Sequence, residues 1–108
     1  MNVLILETLD EQAEGLQHLE RIDSNVLYVF PSIPEGTEFH SMNVAEPFDI
    51  AFLTDWYFVL SVIRMTPTED RIRAPRGTAF AIEAKAGSLA RWGFVPGAQR
   101  PPIWGGRA

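Results

Sequence analysis

The sequence contains no cysteine and only two histidines among its 108 residues. The lack of cysteine excludes disulfides, thiolate nucleophiles and cysteine-type zinc sites. The histidines, His18 and His40, lie too far apart in the chain to show a metal-ligand spacing. We therefore expect no metal site, and any chemistry has to rest on the two imidazoles and on carboxylates.

Long apolar runs and an excess of basic charge are missing as well. No stretch approaches the roughly 18 to 20 apolar residues of a membrane span, and the first residues show neither the basic region nor the cleavage site of an export signal. The formal net charge of -5 repels phosphate backbones. We accordingly expect no membrane and no nucleic-acid partner, and a location in the cytoplasm or in a virus particle.

Catalytic motifs are equally absent. None of the serines stands in a Gly-x-Ser-x-Gly context, and neither a phosphate-binding loop nor a dinucleotide fingerprint occurs. The sequence therefore assigns no catalytic residue and implies no cofactor.

What the sequence does contain is the pattern of a small β protein. Its 108 residues, 46% of them hydrophobic, suit one domain with one core. Runs of β-branched and aromatic residues between turn residues predict a mainly β fold, a small β-sandwich or partly open barrel with one or two short helices. Residues 1–97 form this predicted domain and residues 98–108 a tail rich in proline and glycine. The predicted strands span residues 3–6, 26–30, 38–43, 48–53, 57–63 and 78–83, with a loop or irregular strand at 65–77.

The run from Tyr57 to Ile63 is apolar on both faces. A strand of this composition needs cover on both sides, so we predict that it lies at the centre of the sheet. The turn Thr54-Asp55-Trp56 joins it to the preceding strand as a hairpin.

Two short segments have helical signals. Thr8 and Glu11 have the spacing of a capping box, which predicts a helix from about Leu9 that ends near Gly15. Its predicted buried stripe consists of Leu9, Ala13 and Leu16. A second helical turn is predicted between Gly87 and Gly93, with Ser88 as its N-cap.

The order of these parts resembles the domain-of-unknown-function 192 family. A Thr-x-x-Glu helix followed by Gly-Leu matches at Thr8, Glu11, Gly15 and Leu16, and the central family motif matches at Phe39, Asn43, Pro47, Asp49, Ile50 and Phe52. A later family segment resembles the stretch from Ile82 to Gly87, which includes Glu83. The sequence departs from the central motif at His40, Ser41, Met42 and Val44. The resemblance implies a compact β-sandwich or partly closed barrel and no established activity.

The polar residues that match the family pattern are Asn43, Asp49 and Glu83. One hypothesis places them around a ligand-binding pocket, with His40 as a nearby base. The other hypothesis is structural: Asn43 and Asp49 bond to backbone around the bend at Pro47, Glu83 accepts from a loop amide, and His40 fills the volume of the family's aromatic residue.

Aromatic residues at a turn and in the tail suggest a contact surface. Trp56 and Tyr57 stand at the predicted hairpin turn, and Ile103 and Trp104 lie in the tail. The alternative is that these side chains cover the open end of their own barrel. We therefore expect either a non-enzymatic interaction or assembly module, which binds a protein partner or forms a homo-oligomer, or a small-ligand-binding domain or weak enzyme. An accessory or decoration subunit of a larger particle, such as a viral capsid, is one form of the first function.

Overall fold

The computed structural model describes residues 1–100 of the chain. Within this range the fold is mainly β, as predicted, and neither of its two sheets closes into a barrel. No helix in this range is long and apolar enough to cross a membrane. The elements are β1 (Asn2–Ile5), α1 (Leu9–Glu14), β2 (Val26–Phe30), β3 (Glu38–His40), β4 (Phe48–Leu53), β5 (Val59–Met65), β6 (Arg71–Arg73), β7 (Phe80–Lys85) and α2 (Ser88–Arg91).

The larger sheet has five strands in the order β1-β2-β7-β4-β5. Strand β1 runs parallel to β2, and the other neighbours in the sheet are antiparallel. Strands β4 and β7 are buried along nearly their whole length, because core side chains cover both faces of the sheet. One face carries Phe48, Ile50 and Phe52, and the other carries Ala51 and Leu53.

The prediction that the strand from Tyr57 to Ile63 is central is wrong. Strand β5 occupies the edge of the five-stranded sheet, and Leu60 and Ile63 are exposed. A β-bulge at Phe52/Leu53 leaves an extra residue on β5. The adjacent residues Ile63 and Arg64, which point to opposite faces of the sheet, are both exposed. An apolar composition on both faces therefore does not require a central position in this sheet.

Helix α1 forms through the predicted capping box. The Thr8 hydroxyl accepts from the Glu11 amide, and the Glu11 carboxylate accepts from the Thr8 amide. The helix ends at Gly15, as predicted, with a φ of 51° at that glycine. The predicted buried stripe is wrong, because Leu9 is 85% exposed and only Leu16, beyond the helix, enters the core. A helix of this length is too short to present the three positions on one buried face.

The small sheet of β3 and β6 packs over one face of the large sheet. Phe39 in β3 meets Phe30 and Phe52 edge-on, with ring centroids 5.3 and 5.6 Å apart. Edge-to-face aromatic pairs of this kind stabilise the contact beyond the area they bury. Strand β6 falls in the segment predicted as a loop or irregular strand. The aromatic contacts therefore fix the small sheet at a set position above β2 and β4.

The C-terminal part of the described chain covers the opposite face. The N-cap of α2 is Gly87 rather than the predicted Ser88, whose hydroxyl donates to the Ser24 carbonyl at 3.0 Å. Ala98 and Arg100 form backbone hydrogen bonds with Val59 and Tyr57, so the segment up to Arg100 pairs with the end of β5. Ile103 and Trp104 of the predicted tail lie outside the described residues.

Asp49 connects the centre of the sheet to its periphery. Its carboxylate accepts from the Gly87 amide at 2.8 Å and from the Arg64 guanidinium. We expect Asp49→Ala to lower the free energy of unfolding by about 1 to 3 kcal/mol, because a buried backbone amide loses its acceptor. Urea denaturation measures this change.

Arg64→Ala is the matched control for this experiment. The Arg64 side chain is 59% exposed, so we expect its removal to cost no more than about 1 kcal/mol. If Asp49→Ala unfolded at the same urea concentration as Arg64→Ala, the Gly87 amide would not depend on the carboxylate.

Candidate functional site

A cavity of about 260 Å³ lies between the large sheet, α1 and the small sheet. Its floor belongs to the face of the large sheet that also carries Phe30 and Phe48, and Phe39 of β3 closes one side. The remaining walls come from α1 and the turn after it, and from the chain around β3. The lining residues are Leu9, Gln12, Ala13, Glu14, Gly15, Leu16, Gln17, Phe30, Ile33, Thr37, Glu38, Phe39, His40, Val44, Phe48 and Glu83.

Glu83 is the polar group in the floor of this cavity. It lies in β7 opposite Tyr28 of β2 and Ile50 of β4. Because side chains alternate along a strand, Glu83 shares the face of Ala81 and not that of Ile82. The residue is 4% exposed, and within residues 1–100 its carboxyl group has no hydrogen-bond partner. A buried carboxyl group without a partner is costly, so its presence requires an explanation.

Gly15 in the turn after α1 lies beside this carboxyl group. A Cβ atom at this position would stand 3.5 Å from Glu83 Oε1 and 3.9 Å from the Phe30 ring. The positive φ at Gly15 also disfavours any other residue. Glycine at this turn therefore provides the local backbone conformation and leaves space beside the carboxyl group.

Burial raises the pKa of Glu83 to about 8. At neutral pH the group is therefore mostly protonated and uncharged. A neutral carboxyl group offers one O–H donor and one carbonyl acceptor to whatever occupies the cavity. In the ionised form it would offer only acceptors and a negative charge.

The rim of the cavity carries further polar side chains. Glu14 is exposed on α1, and Glu38 in β3 pairs with Arg71 of β6 at 2.8 Å. His40 is half-buried, and its Nδ1 accepts from the Met42 amide at 3.1 Å. This hydrogen bond leaves the Nε2 atom as the imidazole's remaining polar atom. The site can therefore combine an apolar interior with hydrogen-bonding groups at its mouth.

The structure separates the residues of the predicted ligand site. Glu83 and His40 line the same cavity, whereas Asp49 lies on the opposite face of the sheet. Asn43 is exposed, and its amide donates to the Gln17 side chain at 3.1 Å. Of these predicted residues, Asp49 accepts from a loop amide, that of Gly87, whereas that role was predicted for Glu83.

Several cavity residues were not predicted from the sequence. Among them are the rim groups Glu14, Gln17 and Glu38 and the floor aromatics Phe30 and Phe48. The feature of the sequence that pointed to the cavity was a single acidic residue, Glu83, inside the otherwise apolar strand from Phe80 to Ala84. The pairing that brings this strand under the α1 turn is long-range and leaves no local pattern.

The predicted contact residues Trp56 and Tyr57 differ in how far their rings are exposed to solvent. Trp56 is 74% exposed at the turn between β4 and β5. Tyr57 stacks on Phe80, with ring centroids 5.2 Å apart and planes within 14°. Of these two residues, Trp56 is therefore mostly exposed, whereas the Tyr57 ring is partly covered by Phe80. Within residues 1–100, no cluster of three or more histidine and acidic side chains could hold a metal ion.

The model of the DUF192 family, described as "Uncharacterized ACR", matches residues 1–100. Two crystal structures have a similar fold. A protein of unknown function from Novosphingobium aromaticivorans has a TM-score of 0.76 and 26% identity, over 88% of this chain and 70% of that chain. A "putative transcription regulator" from Sinorhizobium meliloti has a TM-score of 0.75 and 20% identity, over 88% of this chain and 76% of that one, and this likeness concerns the fold alone. No curated protein matches the chain.

The raised pKa of Glu83 predicts a pH dependence of stability that the variant Glu83→Gln lacks. The pKa rises from 4.5, its ordinary value, to about 8 on folding, so the folded chain binds the proton more tightly. The contribution of this group is present in full below about pH 4.5 and is lost as the pH rises to 8. Relative to Glu83→Gln, the wild type should lose about 1.4 kcal/mol per pH unit across this window, roughly 4 to 5 kcal/mol in total.

Urea denaturation of both proteins between pH 5 and pH 9 measures the difference. Glu69→Gln, which removes an exposed carboxylate outside the cavity, is the control and should keep the wild-type dependence. Parallel curves for wild type and Glu83→Gln would show that Glu83 is ionised in the folded protein at neutral pH.

Proposed function

The chain belongs to the DUF192 family, and we propose that it binds a small ligand in the cavity above Glu83. One observation carries this proposal: a carboxyl group that is 4% exposed faces the cavity without a hydrogen-bond partner in the described chain. An apolar side chain at this position would avoid the cost of burying a polar group. A ligand that forms a hydrogen bond with the carboxyl group would explain why a polar side chain occupies this buried position.

The size and lining of the cavity support a compact ligand. Its volume of about 260 Å³ is slightly below the ~300 Å³ at which typical small-molecule sites begin. Phenylalanine and aliphatic side chains form most of the interior, and polar groups stand at the floor and the rim. Small-molecule sites commonly combine an apolar lining with a few polar groups that orient the ligand.

The fixed position of the walls also supports binding. The Phe30–Phe39 and Phe39–Phe52 contacts tie the small sheet to the floor. The capping box fixes the start of α1, whose C-terminal turn faces Glu83. A cavity held by such contacts is formed before the ligand enters, so binding orders few additional groups.

The experiment that tests the proposal is titration with three matched six-carbon probes: hexylamine, 1-hexanol and hexanoate. At concentrations up to about 10 mM, amide chemical shifts detect dissociation constants in the millimolar range. We expect at least one probe to shift the amides of Gly15, Phe39 and Glu83, since these residues border the cavity. Its binding should weaken at least about tenfold in Glu83→Leu, the loss that removal of one hydrogen bond to the ligand produces.

Glu69→Gln is again the control and should bind the same probe as the wild type does, because its side chain lies outside the cavity. Far-ultraviolet circular dichroism checks that Glu83→Leu keeps the fold. The proposal is overturned if none of the probes binds, or if the shifted amides lie away from the cavity.

We propose protein contact through Trp56 as a second function, because this ring is 74% exposed at the β4–β5 turn. A large exposed aromatic side chain is typical of contact residues. The partner would be another protein or a second copy of the chain, and decoration of a larger particle such as a viral capsid is one form of this function. Neither the family match nor the similar structures give information on whether the chain attaches to a larger particle.

The variant Trp56→Ser tests association through a second copy. We expect its free energy of unfolding to stay within about 0.5 kcal/mol of the wild type, because the ring is mostly exposed. Sedimentation equilibrium over a range of protein concentrations should show weaker self-association than in the wild type. A wild type that stays monomeric throughout, or a variant that associates equally well, would contradict contact between copies through this ring.

A further inference from the structure

We propose that the ligand of the cavity is an organic cation, a compact amine whose ammonium group pairs with the Glu83 carboxylate while its apolar part fills the space beneath Phe39. This inference rests on the proposed ligand-binding function and specifies the chemical class of the ligand. The inference rests on the position of the Glu83 carboxyl group, which is buried at the floor of the cavity and has no hydrogen-bond partner in the described chain. The other acidic groups of the cavity, Glu14 and Glu38, lie at its mouth.

The charges around the cavity favour a cation. Glu83 on β7, Glu14 on α1 and Glu38 on β3 supply three carboxyl groups, and the lining that residues 1–100 provide contains no lysine or arginine. Within that lining, His40 is the one side chain that can carry a positive charge.

Basic residues on neighbouring elements offset the negative charge of the lining only at the mouth of the cavity. Arg71 and Arg73 of β6 offset Glu38, at 2.8 and 4.0 Å. Glu14 has no ion pair within residues 1–100. Tyr28 of β2, beside Glu83 in the sheet, is neutral at physiological pH. The carboxylate of Glu14 on the α1 side therefore attracts a cation towards the mouth and repels an anionic ligand, and the net charge of -5 adds to this potential. The floor itself becomes negative only when Glu83 loses its proton.

An ammonium group supplies what the buried carboxyl group lacks. It brings the opposite charge and N–H donors to an apolar place, where charge-assisted hydrogen bonds are stronger than neutral ones. An alcohol would supply a hydrogen bond without the charge, and a carboxylate would add a second anion.

Pairing also moves one proton. The ammonium ion enters with its three protons, the Glu83 O–H bond breaks, and the proton passes to solvent as the carboxylate forms. No bond to the ligand is made or broken. The free carboxyl group, with a pKa of about 8, is about nine-tenths protonated at pH 7, so binding should release about 0.9 proton per amine.

Isothermal titration calorimetry with hexylamine and 1-hexanol tests the inference. Measurements at pH 7 in buffers of different ionisation enthalpy count the protons released. Above pH 8, where the free carboxyl group is mostly ionised, we expect hexylamine to bind at least about tenfold more tightly than 1-hexanol, the ratio that an added charge-assisted bond produces. Its affinity should rise about tenfold from pH 6 to pH 7 and level off above pH 8, because the carboxyl group must lose its proton.

The variant Glu83→Gln keeps the size of the side chain but cannot ionise, so it separates the contribution of charge to binding from that of shape. It should bind 1-hexanol about as the wild type does, lose the preference for hexylamine, and release no proton. Tighter binding of 1-hexanol or hexanoate than of hexylamine overturns the cation while leaving ligand binding intact. Hexylamine binding that releases no proton and persists in Glu83→Gln overturns the pairing with Glu83. If no probe enters the cavity, the proposed function itself fails.

Discussion

Strands β4 and β7 form the centre of a sheet that is covered on both faces, and each of them places one carboxyl group in the interior. A charge in such a position needs a partner or a proton. Asp49 points to the face of α2 and meets the Arg64 guanidinium and the Gly87 amide. Glu83 points to the other face, where burial raises its pKa to about 8 and the group keeps its proton. The two faces of one sheet thus accommodate their acids in opposite ways.

This difference separates an acid that bonds within the fold from one that does not. The bonds of Asp49 tie an edge strand and the loop before α2 to the centre of the sheet, so its carboxylate is occupied within the fold. The carboxyl group of Glu83 forms no hydrogen bond in the described chain, although the turn at Gly15 lies beside it. A buried polar group that contributes no internal bond lowers stability. Such a residue is better explained by what it binds than by what it supports.

Local patterns predicted the parts of this fold that local interactions determine. The bounds of β2 and β4, the capping box of α1 and its end at Gly15 agree with the sequence analysis. The sequence analysis did not identify the central strands of the sheet. It judged strands by how apolar they are, and the two central strands, β4 and β7, each include an acidic residue. The cavity could not be predicted either, since Glu83 and Gly15 approach each other only through the pairing of β7 with β2 and the packing of α1. Of the predicted ligand residues, Glu83 and His40 line one cavity, and the sequence could not show that Asp49 faces away.

Four of the positions at which the sequence resembles the family pattern meet at this cavity. Gly15, Leu16, Phe39 and Glu83 are far apart in the chain and all line it. Of the departures from the central motif, Ser41 is buried and bonds to the backbone around Asp70, which serves the fold. His40 and Val44 instead form part of the cavity wall. The carboxyl floor, the glycine beside it and the aromatic side therefore follow the family pattern, whereas His40 and Val44 depart from it. In the proposed ligand-binding function, the matched residues would set how a ligand is anchored at Glu83, and His40 and Val44 would contribute to which ligand fits.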